Sequence, residues 1–247
     1  MAAYRFRPSL AGTLATVVVA LVCLQLGSWQ LSRADARQER LDRQERLGEE
    51  SGRSLAEVLG EEAPDFHRLR VRGEFDNERS ILLDNRIVDS MAGYHVLTPL
   101  ETEDGTVLVN RGWIPRGRDR AQLPEIPDIE GEVEVRGHAR TYDPRTMVLA
   151  EDDLEEASWP LRVQRVDMEE LSGVLGVELA PFEIRVDPDL SLEADEQFTR
   201  RWRDVSMTPQ RHRAYAVQWF GIGTVAVVIF VAASFRSTAS RSDNREA

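Results

Sequence analysis

A histidine stands between two arginines at Arg211-His212-Arg213, at the mouth of an uncharged run that opens AYAVQWFGIG. On a helix His212, Tyr215, Ala216, Trp219, Phe220 and Gly223 fall on one face. A second set closes another uncharged run near the N-terminus, where Gln25, Trp29 and Arg33 share a stripe at spacings of four. These residue types suit a cofactor. A neutral imidazole can ligate haem iron, aromatic faces can pack a macrocycle, and arginines such as Arg33 and Arg213 can pair with propionates. They also suit a plainer task, because tryptophan and tyrosine gather at membrane boundaries and arginines end membrane spans. The anchoring role accounts for the aromatics and arginines, and less well for His212 and Gln25. Both readings stand at this stage.

Either role needs the two uncharged runs to be helices. No charge occurs between Pro8 and Ser32, or between Ala214 and Phe235. The second run, at 1.5 Å per residue, reaches roughly 33 Å, enough for a hydrocarbon core of about 30 Å. The expected spans are therefore 9–32 and 212–235, with a polar tail at 236–247. A cleaved signal peptide is the alternative for the first run, given Arg5 and Arg7 ahead of it. The apolar stretch is long for that, no A-x-A site follows, and Val22 precedes Cys23 where a lipoprotein site needs a small residue. Both residue sets flank the same intervening region. Antiparallel spans would thus place Trp29–Arg33 and His212–Trp219 at one membrane depth.

Between the runs the pattern changes twice. RADARQERLDRQERLGEE alternates acid and arginine at helical spacing, which predicts a solvated helical connector within 33–60. From 61 to 208 the period drops towards two. LRVRGEFD, SILLDNRIV, GYHVLTPL, EVEVRGHAR and FEIRVD read as strands, Asp104-Gly105 as a hairpin turn, and DMEELSGVLG as a short helix. The expected fold is thus two terminal transmembrane α-helices flanking a mostly antiparallel β (α+β) soluble domain. Positions 34–211 hold 41 carboxylates against 24 arginines, a formal charge of −17, which argues against nucleic acid as a partner. The single cysteine excludes an internal disulfide framework, paired redox thiols and covalent haem attachment.

The middle region supplies little chemistry. His67, His95 and His138 lack metal-ligand spacing and read as strand histidines, and EDDLEE at 151–156 reads as a solvated loop. No nucleophile elbow, zinc-protease helix or phosphate-binding loop is present, so no enzyme is expected. In NRGWIP, Gly112 and Pro115 predict a strand-ending turn. The functional alternative has Arg111, Trp113 and Arg116 presenting a surface to a cofactor edge or a partner. No metal site is expected apart from iron held through His212.

Four segments in order resemble the surfeit-locus protein 1 family of cytochrome c oxidase assembly factors: LGSWQLSR at 26–33, NRIVDSMAGYHVLTPL, VLVNRGWIPRG and HRAYAVQWFG. The resemblance spans nearly the whole chain. It implies a two-span inner-membrane protein whose large domain faces the periplasm or the intermembrane space. Counting arginines at the span flanks would instead put that domain in the cytoplasm, though such counts have little force for a loop this long. With almost nothing ahead of the first span, a bacterial member is expected. The resemblance further implies haem a as a non-covalent cargo, His212 as its ligand, with Trp29, Arg33, Arg213, Tyr215 and Trp219 around it. Its implied partners are oxidase subunit I and haem A synthase. A haem-free scaffold that stabilises an oxidase assembly intermediate is the alternative. An envelope scaffold similar to polysaccharide chain-length regulators is another, and would fill the middle with long helices.

Overall fold

The computed structural model describes residues 4–117, 122–143, 146, 154, 158–193, 195–202 and 207–237. In chain order the elements are β1 (Tyr4–Phe6), α1 (Leu10–Gly48), α2 (Leu55–Leu59), β2 (Arg68–Phe75), β3 (Ile81–Val88), β4 (Met91–Thr102), β5 (Gly105–Pro115), β6 (Glu132–Arg140), β7 (Leu161–Val163), α3 (Met168–Leu175), β8 (Leu179–Val186), α4 (Pro209–Ser234) and β9 (Phe235–Ser237). Two compact bodies result, one from residues 1–42 with 205–247, the other from 43–204.

The first body pairs α1 with α4. Both helices are long and apolar enough to cross a membrane, and little of either apolar stretch is covered by protein, unlike the core helix of a soluble fold. Helix α1 continues without a break from the apolar run into the charged connector, as far as Gly48. The residues it buries are small, Cys23, Gly27 and Ala34, and those of α4 include Ala216 and Gly223. Helices facing lipid would have no hydrophobic drive to associate, so in a membrane close packing of small residues would supply the attraction. Phe220 lies directly over Gly27: a Cβ there would sit 2.4 Å from the ring, and one at Gly223 would meet Cys23 at 3.1 Å. At the other end β1 pairs with β9, and the Arg7 N–H donates to the Ser234 carbonyl at 2.7 Å. Helix α4 starts where Thr208 caps it, accepting the Arg211 N–H, with Pro209 in the first turn.

The second body is a seven-stranded sheet, ordered β2-β6-β8-β5-β4-β3-β7, that curls until β2 also pairs with β4. Alternation builds it. In β2, Leu69, Val71 and Phe75 point inward while Arg70, Arg72 and Glu74 face water. The interior joins these to Val107, Val109, Val135, Phe182 and Ile184. Closure falls at Gly73, which faces Val133 on one side and Thr102 on the other. A Cβ there would lie 2.1 Å from the Glu101 carbonyl, so only glycine lets the strands meet. Most pairings are antiparallel; β5–β8 and β3–β7 are parallel. Asp89 and Ser90, both at positive φ, turn β3 into β4. Helix α3, capped by Asp167, covers the outer face of β3–β5 through Leu171 and Leu175. A sheet in this position does not fit the chain-length-regulator alternative.

The NRGWIP segment ends its strand, β5, at Pro115, but without the expected turn at Gly112. Gly112, at φ +141°, lies inside β5 where its register with β4 slips, and β5 continues to Pro115. The slip is a bulge, which adds a residue and turns side chains to new directions. The acidic run 151–156, apart from Leu154, lies outside the described residues.

Candidate functional site

His212 occupies the first turn of α4, where its N–H donates to the Thr208 carbonyl at 3.3 Å. Its ring reaches across to α1, and Nδ1 lies 2.7 Å from Gln30 Oε1. An amide oxygen only accepts, so in a neutral ring this contact selects the tautomer with the proton on Nδ1 and the lone pair on Nε2. Among the described residues nothing hydrogen-bonds Nε2. A hydrogen bond between membrane helices contributes about 0.6–2 kcal/mol, so the pairing also ties the two helices together.

Around this ring the sequence-predicted residues are distributed as follows. Trp29 and Tyr215 are about half exposed, at 48% and 45%, and Trp219 is partly buried. The Arg33 guanidinium lies over the Trp29 ring, 5.7 Å from its centre. Arg213 comes within 4.0 Å of Asp35, both side chains exposed, a contact that screening makes weak. Among the described residues no hydrogen bond, ion pair or ring contact joins His212 to Trp29, Arg33, Tyr215 or Trp219. Gln25 is exposed and the stripe it defines is rotated off the packing face. The amide that meets the histidine is Gln30, one residue past Trp29 and off that stripe. Cys23, Gly27 and Ala34 mark the packing face, and Gln30 falls between the last two.

Arg111 and Trp113 do not present a surface. Arg111 is fully buried, stacked between Phe75 and Phe198 at 5.5 and 5.2 Å, and its Nε and Nη2 donate to Asp195 at 2.9 and 2.6 Å. Arg200 holds the other Asp195 oxygen at 2.6 Å. Burial pushes the Asp195 pKa up, and the two guanidiniums oppose it. Trp113 is buried too, its indole N–H donating to the Arg86 carbonyl and its backbone exchanging two hydrogen bonds with Thr199. The physical reason for the difference is the bulge at Gly112, beside which Arg111 and Trp113 lie against Asp195, Phe198, Thr199 and Arg200. Of the three, only Arg116 is partly exposed.

The pattern that defines the SURF1 family matches residues 17–224, from within α1 to within α4. The chain belongs to the SURF1 family. It is 25% identical over 213 residues to a SURF1-like protein of Rickettsia conorii, covering 85% of each chain. It is 27% identical over 215 residues to Surfeit locus protein 1 of Takifugu rubripes, covering 80% of this chain and 86% of that one. Against Surfeit locus protein 1 of Homo sapiens it is 25% identical over 250 residues, covering 90% and 77%. The SURF1-matching stretch contains Trp29, Gln30, Arg33 and His212 together with the whole sheet.

The sheet of this SURF1-family chain holds a second polar cluster. Glu183, fully buried on β8, accepts from Tyr142 Oη at 2.7 Å, Asn110 Nδ2 at 3.0 Å and Arg185 Nε at 2.8 Å. Burial works to raise its pKa, but Arg185 and the tyrosine hydroxyl outweigh that and hold it low. With every oxygen engaged, the carboxylate is a structural tie rather than a base. Nearby, burial lowers the pKa of His95 to about 4 and that of His138 to about 4, Arg185 adding to both shifts. Folded, each histidine binds its proton less readily than at the unperturbed value of 6.5. The unfolded chain therefore takes up protons first, and stability is lost as pH falls from about 6.5 towards 4. The loss is at most ~1.4 kcal/mol per histidine per pH unit. Melting temperature measured across this range should fall with pH, and less steeply in His95→Asn; a flat wild-type profile contradicts the assignment.

Proposed function

We propose that this chain is a membrane-tethered assembly factor for haem–copper cytochrome c oxidase, which receives haem a on His212 and aids its insertion into oxidase subunit I. Membership of the SURF1 family supports the assembly role. The observation that carries the haem reading is His212 Nε2, a nitrogen with a free lone pair on a ring already held through its other nitrogen. The residues fit the cargo. The neutral imidazole of His212 would supply a nitrogen ligand to haem iron. Trp29 and Tyr215 offer half-exposed ring faces. Among the described residues Arg33 and Arg213 engage an aromatic face and an exposed carboxylate, partners that propionates can replace. Haem a supplies redox chemistry only in the oxidase that receives it; here the chain's own residues bind, orient and release it.

In this reading α1 and α4 both cross the bacterial cell membrane, the sheet domain lies on its periplasmic side, and haem A synthase is the donor. Complementation tests it in a host lacking its own family member. His212→Ala should leave the protein in the membrane but reduce oxidase activity and a-type haem absorption to the level of the uncomplemented host. A haem-free scaffold predicts that the variant assembles oxidase normally.

A further inference from the structure

We infer that Gln30 is the positioning residue of this site: its amide oxygen fixes His212 as the Nδ1–H tautomer and so makes Nε2 the nitrogen that takes the iron. This rests on the haem-carrier reading, and adds which nitrogen binds, what selects it and what sets its strength.

The geometry is specific. The bond is short, 2.7 Å, and it joins two different helices across a face otherwise made of small residues. Gln30 has Gly27 one turn before it and Ala34 one turn after it, which leaves room for the amide between the helices. Phe220 seats on Gly27 and fixes how closely α1 and α4 approach. A ligating histidine ordinarily gives its second N–H to a carboxylate or carbonyl, which fixes the tautomer and raises the basicity of the ligating nitrogen. Here the acceptor is a neutral amide. It orients the ring as a carboxylate would, yet draws less on the N–H, so Nε2 is a donor of moderate strength. That suits a protein that must hand its cargo on.

The test uses the full chain in detergent micelles, labelled with ¹⁵N-histidine. The His212 signals are identified by their loss in His212→Ala. The wild type should show a protonated Nδ1 and a bare Nε2. Gln30→Leu should move the proton to Nε2, the tautomer a free neutral imidazole prefers. Titrated with ferric haem a, Gln30→Leu should bind about 10–100-fold more weakly. Gln30→Glu keeps an oxygen acceptor; it should restore binding and lower the reduction potential of the bound iron, because a carboxylate makes the imidazole a stronger donor. A wild-type His212 with its proton on Nε2 overturns the assignment, as does Gln30→Leu that takes up haem a with unchanged affinity and spectrum. A wild type that takes up no haem a defeats the carrier reading instead, and the tautomer shift in Gln30→Leu then decides the role of Gln30 by itself.

Discussion

Asp195→Ala lowers the melting temperature of the sheet domain by about 10 °C. Asp195 is the only carboxylate held by both Arg111 and Arg200 among the described contacts, and its side chain is 2% exposed. Removing it leaves two guanidiniums facing each other in the interior. Breaking a buried pair in this way costs about 3–5 kcal/mol, since the stranded charge cannot regain water. In a domain of this size each kcal/mol moves the midpoint by roughly 2–4 °C. Phe75 and Phe198, which sandwich Arg111, lose their fixed partner as well. Thermal unfolding of the purified chain, followed by the near-ultraviolet signal of Trp113 and its neighbours, checks this. A shift under about 2 °C would mean that water reaches the triad and screens it.

Gly27→Val abolishes the Gln30–His212 hydrogen bond without touching either residue. The new Cβ would lie 2.4 Å from Phe220 Cε1, whereas carbon atoms pack at about 3.5–4.0 Å. Where the Phe220 ring keeps its place, the helices move apart by roughly 1 Å or more. A bond of 2.7 Å lengthened by that much passes beyond about 3.5 Å and ceases to be one. Haem a affinity should fall by about the 10–100-fold expected for loss of a ligand's supporting partner. Phe220→Ala in the same chain should recover part of it by making room, and a double-mutant cycle measures the coupling. Unchanged affinity in Gly27→Val would show that helix spacing does not set the site.

How far the sequence reveals this depends on which force places each residue. Strands β2 and β6 are legible because one face meets the core and the other meets water, so LRVRGEFD and EVEVRGHAR alternate openly. Helix α3 is legible from its amphipathic spacing. The parallel pairings β5–β8 and β3–β7 are not, because they join segments far apart in sequence, and β7 is only three residues long. Arg111 shows the limit most clearly. Arginine beside an exposed-looking turn reads as surface, and only the chain returning through Asp195 and Arg200 turns it into a buried triad. At the site, His212 stands out as a polar residue at the edge of an apolar run. Gln30 does not, because the stripe through Trp29 and Arg33 follows the conspicuous side chains. The packing face follows the small ones.

The central claim is that Nε2 of His212 takes haem iron, and the optical spectrum of the purified protein tests it most directly. The full chain is co-expressed with haem A biosynthesis, purified in detergent, and compared with His212→Ala. A haem a absorption band in the wild type that is lost or shifted in the variant is the expected result. A wild type without haem, or a band identical in both proteins, contradicts the claim.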